Sequence, residues 1–475
     1  MGLAGGPNGP KALFKEKFHQ AFKKFQSLKD TREAVGVTRH ETLVVVDGNV
    51  LVMQVPASVD TFPAYVAVLA NQLNGAIQAG EHVVVVFDEP ASLTKAKQEE
   101  QKARDARRAP QTPVCSDDVV AVPMNDDYTR EILESAEMNL KLLMNHRQAR
   151  SRFYDGLCVA VIRYLQANMA GDAEWSLTFD GVDPRGADRP IGEKRSPGIL
   201  STHPELWEAV LHRQVRIGEG DLKLTDVCER VCTAPVKAKM PEREGDVVIV
   251  YRIHGCDTTP IDEIKLLLMW TIDTDSFAIE LIQQARRACK PEGERNELAL
   301  LCLREPTRKR KGELPEPAHF NCLDLKVFYK RVETYMFGTV PPNPERMKLT
   351  SALLAASLAM CGCDFLEIRG MRADLVLPIV RDIARNKPEK LALMAGVFTG
   401  HAGSVRTAIP ALEAVIQEYS ENLAGMPRMQ KSHMNASNYN ELQLLRACWI
   451  SSYWSGFEFK DVTQWGWPAS QIMDD

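Results

Sequence analysis

Apolar positions along the chain change their period several times, and each change predicts an element. Residues 12–30, ALFKEKFHQAFKKFQSLKD, place Phe14, Phe18, Phe22 and Phe25 at helical intervals with lysines between them, the pattern of a packed helix face. Two valine-rich runs follow, ETLVVVDGN (41–49) and HVVVVFDEP (82–90), each short, apolar and closed by an aspartate, with a helical pattern over 60–80 between them. Strand, helix and strand with unbroken valine runs predict parallel strands buried on both faces. A long helix is expected within 128–170, carrying Leu133, Met138, Leu140, Leu143 and Met144, and another over HPELWEAVLHRQVR (203–216). DVVIVYRI (246–253) and IKLLLMWTIDTD (264–275) have the pattern of strands. LDLKVFYKRVETYMF and PERMKLTSALLAASLAMCGCDF have that of helices, and 371–475 is mostly helical in pattern. Glycine, proline and charge mark 183–200 and 304–317 as loops.

The expected fold class is α/β, a mainly parallel sheet covered by helices, with a helical insertion and a helical C-terminal region. Residues 1–108 would form the first part of the core and end in a basic helix. Residues 109–200 would form a helical arch or cap, and 201–303 the second part of the core. A basic loop (304–317), a helical region (318–400) and a C-terminal helical region (401–475) would complete the chain.

Composition narrows the functional classes. The 475 residues are 45% hydrophobic and 25% charged, enough to bury a sizeable core, and the net charge of −5 provides no global basic field. Contact with nucleic acid must therefore come from local patches such as TKAKQEEQKARDARR (94–108) or RKRK (308–311). Eleven cysteines without a regular framework, after an N-terminal MGLAGGPNGPK with no signal-peptide pattern, lead us to expect a soluble protein of a reducing, intracellular compartment. The run SALLAASLAMCGC falls short of the roughly 20 residues a membrane helix needs, so no membrane partner is expected. Gly6 stands where a myristoylation signal at Gly2 would want Ser or Thr.

The chemistry is concentrated in acids. Asp47 and Asp88 each end a buried strand, and Asp273 and Asp275 end a third in WTIDTDSF. Glu219 and Asp221 repeat that spacing in IGEGDLKLTD (217–226), where Gly218 and Gly220 permit close backbone approach, and Asp364 ends the apolar stretch in CGCDF. In open parallel sheets the carboxyl ends of strands are where ligands bind. Carboxylates gathered there repel one another unless cations intervene. Oxygen donors suit two Mg²⁺ ions, or Mn²⁺, and a pair of ions roughly 3.5–4 Å apart can activate a water and stabilise a leaving oxygen. Each acid taken alone also fits a turn former or helix N-cap. Asp257 in HGCDTTP is a weaker competitor for the place of Asp273. The charge run 94–108 fits a solvated helix laced by i,i+4 pairs as well as a phosphate-contacting one. Cys228, Cys232, His254 and Cys256 could make a zinc set, although the first two also suit a helix's buried face. The tryptophans at 449, 454, 465 and 467 could stack bases or simply pack.

The ordered series Asp47, Asp88, Glu219/Asp221, Asp273/Asp275 and Asp364 resembles the metal-binding acids of the flap endonuclease/XPG family of 5′-nucleases, whose catalytic core the 5′–3′ exoribonucleases share. FDEPASLTKAKQEEQKARDARR (87–108) is similar to that family's strand, acid and basic helix. The resemblance implies that Lys95 and Lys102 contact the scissile phosphate and that Arg104, Arg107 and Arg108 bind nucleic acid. CGCDFLEIRGM (361–371) resembles the family's acid followed by a helix–hairpin–helix, implying that Arg369, Gly370 and Arg372 grip a nucleic-acid backbone. GEGDLK is closest to the exoribonuclease form of the paired-acid motif. The resemblance thus implies a Mg²⁺-dependent nuclease acting at or near 5′ ends, with structured, flap-type DNA as substrate and 5′–3′ exoribonuclease action as the alternative. A catalytically silent relative with a structural role is the rival from another class. No sliding-clamp peptide is recognisable at the C-terminal end.

Overall fold

The computed structural model describes residues 9–56, 58–87, 147–169, 174–188, 198–202, 264–289, 298–305, 317–363, 366, 370–426 and 439–455. They form an α/β fold around one eight-stranded sheet. Its strands are β1 (Phe22–Phe25), β2 (Thr42–Asp47), β3 (His82–Val86), β4 (Ser176–Val182), β5 (Gly198–Ser201), β6 (Leu266–Thr271), β7 (Leu298–Glu305) and β8 (His319–Asp324), in the spatial order β1-β8-β7-β6-β2-β3-β4-β5. The five central strands, β7-β6-β2-β3-β4, pair in parallel. Antiparallel pairings close both sides, β5 against β4, and β8 against β7 with β1 outside it.

Every residue of β2, β3 and β6 is buried, which accounts for their unbroken apolar sequences. Alternate side chains then serve two separate cores. Val44, Val46, Val83, Val85, Leu266, Leu268 and Trp270 face helices α2 (Leu28–Val35), α3 (Gly48–Met53), α4 (Phe62–Ala79) and α5 (Arg147–Asn168). Val45, Val84, Val86, Leu267 and Met269 face the opposite layer. That layer consists of α1 (Pro10–Lys17), α6 (Ser276–Ala288), α7 (Leu325–Phe337), α8 (Pro344–Met360), α9 (Ala373–Asn386), α10 (Ile409–Ala424) and α11 (Glu441–Trp454). Among the described residues, no helix is long and apolar enough to cross a membrane.

Several expected elements take another form. The N-terminal phenylalanine stripe is not one helix: α1 ends at Lys17, and Phe22 and Phe25 lie in β1. Three residues apart in a strand they point to opposite faces, so Phe22 packs against one core and Phe25 against the other. The described part of the expected 109–200 cap belongs instead to the α/β core. Phe153, Leu157 and Val161 of α5 are fully buried against the sheet, and β4 is one of its parallel strands. β5 starts within the expected 183–200 loop. β7 runs two residues into the expected 304–317 loop, and β8 occupies the start of the expected 318–400 helical region. The helix at 128–146, the helix at 203–216 and the strand at 246–253 lie outside the described residues.

The N-terminal segment is tied into the second core by aromatic packing. The fully buried ring of Phe14 lies 5.9 Å from Phe18, 5.7 Å from Phe277 and 5.6 Å from Phe328. Lys15 Nζ reaches Glu305 Oε1 at 2.5 Å, and Asn321 Nδ2 donates to the same oxygen at 3.1 Å, joining α1 to β7 and β8. Phe14→Ala should therefore destabilise the fold by about 3–5 kcal/mol through the cavity it leaves. Urea unfolding checks this, and a loss below ~1 kcal/mol would mean that α1 is peripheral.

Candidate functional site

The strand order reverses between β2 and β6. From β2 the chain steps outward through β3 to β4, and it returns to the other side of β2 for β6 and β7. Such a switch point opens a crevice at the carboxyl ends of the two strands, because their connections leave in opposite directions. Asp47 is the last residue of β2, and Asp273 and Asp275 follow the end of β6. Three of the seven predicted acids thus lie at one switch point.

Local structure holds each of them. Asp47 is 3% exposed and caps α3: its Oδ1 accepts the backbone N–H of Asn49 at 3.0 Å and of Val50 at 3.2 Å. Its other oxygen, Oδ2, accepts from the Thr271 hydroxyl at 3.4 Å. The same hydroxyl oxygen accepts the Asp273 backbone N–H at 3.1 Å, so Thr271 joins the two strand ends. Asp275, also 3% exposed, occupies the N-cap position of α6, and its side chain makes no capping hydrogen bond to that helix. Asp273 is half-buried. The side-chain donors at this edge are all oxygen, but among the described residues the group of three acids and imidazoles close enough to share one ion lies elsewhere, at His40, Glu81 and His82.

β3 is locked to this edge by Phe87, the residue before Asp88. Its N–H donates to Asp180 O at 2.9 Å, and its ring covers the backbone of Gly48 so closely that a Cβ there would lie 2.8 Å from three ring atoms. Its carbonyl oxygen would stand 2.5 Å from a Cβ on Gly181, which also has φ +80. Only glycine fits at either place.

Register adds a carboxylate that sequence reading missed. Asp47 pairs with Val86, Val86 with Asp180, and Val46 with Trp270, so Thr271, Asp47, Val86 and Asp180 form one row. Their side chains share the face opposite Val46 and Trp270. Asp180, 3% exposed, stands two strands from Asp47, about 9.5 Å away. The alternation in SLTFDGV was its signal, since Leu177 and Phe179 face one core while Ser176, Thr178 and Asp180 face the other way. Asp183, at the end of β4, has a structural role: Arg185 grips both its oxygens at 3.1 and 2.9 Å, and its N–H donates to Asp155 Oδ1. Thr271 was likewise missed, because a threonine at a strand end carries no distinctive pattern.

The predicted backbone-gripping segment is held from within. Arg372 forms a two-pronged ion pair with Asp374, at 2.9 and 2.5 Å, and its N–H donates to the Tyr419 hydroxyl at 3.1 Å. The Tyr439 hydroxyl donates to Met360 O and meets the backbone of Gly370. Trp449 and Trp454 are buried in the C-terminal layer and so pack rather than stack bases. Asp88, Lys95, Lys102, Arg104, Arg107, Arg108, Glu219, Asp221, Asp364 and Arg369 lie outside the described residues, as do Asp257 and the Cys228, Cys232, His254 and Cys256 group.

Two substitutions probe this geometry. Thr271→Val keeps the shape and removes the hydroxyl shared by Asp47 and Asp273, so unfolding free energy should fall by about 1–3 kcal/mol. Gly48→Ala should cost about 1–3 kcal/mol by displacing the Phe87 ring. Denaturant unfolding measures both, and unchanged midpoints would show that the edge does not depend on these contacts.

No known protein-family model matches the chain, and no curated protein matches it.

Proposed function

We propose that the protein is a metal-dependent nuclease that hydrolyses phosphodiester bonds at or near the 5′ ends of nucleic acid, structured DNA being its substrate. The observation that carries this reading is the placement of Asp47, Asp273 and Asp275 at the switch point between β2 and β6. The ordered acid series and the basic stretch after Asp88 add to it.

In this reading Asp47, Asp273 and Asp275 hold divalent cations together with Asp88, Glu219, Asp221 and Asp364. Mg²⁺ or Mn²⁺ would supply charge neutralisation and Lewis acidity toward a phosphodiester. The chain's own residues set the stage for that chemistry. Thr271 fixes the spacing between the Asp47 carboxylate and the Asp273 backbone. Asp47 caps α3 through its Oδ1, and Asp275 stands at the N-terminus of α6. Lys95 and Lys102 would offset charge gathering on the scissile phosphate. Arg104, Arg107, Arg108, Arg369 and Arg372 would guide the strand, Arg372 only after exchanging Asp374 for a phosphate.

Metal binding and cleavage test the reading separately. Millimolar Mg²⁺ should raise the melting temperature by ligand linkage, and Asp273→Asn should diminish that rise. The same variant should cut end-labelled flap DNA at least about a hundredfold more slowly than wild type, the scale of a lost electrostatic contribution. Wild-type rates in Asp273→Asn would refute the site. A preference for 5′-monophosphorylated RNA over flap DNA would move the protein to the exoribonucleases.

A further inference from the structure

The opposite edge of the sheet carries a second constellation with different chemistry. His40 lies in the turn before β2, and Glu81 and His82 lie at the start of β3. The backbone fixes their spacing. Glu81 N–H donates to Arg39 O at 3.1 Å, Ser176 N–H donates to Glu81 O at 2.8 Å, and His82 is in register with Leu43 and Ser176.

The Glu81 carboxylate sits between two imidazoles. His40 Nδ1 is 3.1 Å from Glu81 Oε2, and His82 Nε2 is 3.8 Å from Glu81 Oε1. One donor atom from each of the three residues lies within 4.8 Å of the others. A simple ion pair accounts for the first contact. The second ring's nitrogen faces the remaining oxygen at ion-pair rather than hydrogen-bond distance, so both imidazoles bear on one carboxylate. Around one tetrahedral zinc, with bonds of roughly 2.0–2.2 Å, neighbouring donors stand about 3.3–3.6 Å apart, so small side-chain rotations convert this set into a coordination sphere.

The surroundings fit the same purpose. The His82 side chain is 8% exposed and Glu81 15%, whereas His40 is 52% exposed, leaving one side open to water or a further ligand. Arg39, whose charge also acts on Glu81, is turned onto backbone carbonyls: Nε donates to Ile77 O and Nη2 to Glu174 O, both at 2.7 Å. Two imidazoles and a carboxylate match a borderline ion such as Zn²⁺ and discriminate against Mg²⁺, which takes oxygen donors.

We propose that His40, Glu81 and His82 form a Zn²⁺ site that clamps the starts of β2 and β3. Bound there, the ion would cross-link the two strands whose far ends carry Asp47 and lead to Asp88. It would act on stability rather than in the chemistry of the acid edge. The site does not rest on the nuclease reading.

Calorimetric titration of the full chain with Zn²⁺, paired with melting curves, tests the proposal on three proteins: wild type, His40→Ala and the double variant Asp273→Asn/Asp275→Asn. His40 is half exposed, so its replacement should leave the metal-free melting temperature unchanged. Wild type and the double variant should share a Zn²⁺ site that millimolar Mg²⁺ does not displace, whereas His40→Ala should bind there at least about tenfold more weakly and lose the Zn²⁺-induced rise in melting temperature. Co²⁺ should give a visible absorption band in wild type that His40→Ala lacks. Identical Zn²⁺ isotherms for wild type and His40→Ala, or no Zn²⁺ binding by wild type, would overturn the proposal. No Mg²⁺ response in the wild type, with the Zn²⁺ site intact, would instead count against the acid edge alone.

Discussion

A parallel strand covered on both faces has no room for a polar side chain except at its ends. That constraint governs this molecule. β2, β3 and β6 are buried along their whole length, with one core on each side. An unpaired polar group within them would cost on the order of a few kcal/mol. Polar chemistry is consequently pushed to the two edges of the sheet, oxygen donors to the carboxyl edge and imidazoles to the amino edge. β4 departs from that rule: it is buried along its length as well, yet beside the short antiparallel β5 it carries Ser176, Thr178 and Asp180 along one face.

The carboxyl edge is organised by small contacts rather than by the acids' mutual attraction, which is absent between like charges. Backbone N–H groups hold Asp47, and a hydroxyl spaces it from Asp273. Gly48 and Gly181 let Phe87 bring the end of β3 against the ends of β2 and β4. Each device uses neutral dipoles to place charged groups, so the placement does not depend on a cation being present.

How much of this was legible in the sequence depended on local pattern strength. The valine runs 43–46 and 83–86 announce their strands, as LLLMWT does for β6, because continuous burial leaves a continuous apolar record. The α4 and α8 patterns were equally legible. β4 was lost inside a segment read as helical, because its buried serine, threonine and aspartate look like surface residues. β8 was lost for a related reason: HFNCLD is short, and its third and sixth residues are only partly buried. In the candidate site the acids were visible as strand-ending aspartates. Asp180 and Thr271 became visible only through inter-strand register, which no single segment encodes.

The placement of β1 carries a consequence for synthesis. Phe22 pairs with Leu323, roughly 300 residues further along the chain, making this pairing among the least local in the fold. At about 5–20 residues per second a ribosome needs about 15–60 seconds to cover that interval. The first of the described strands is therefore among the last to find its neighbour. A chain stopped before residue 319 leaves β1 without β8, its one strand neighbour among the described residues.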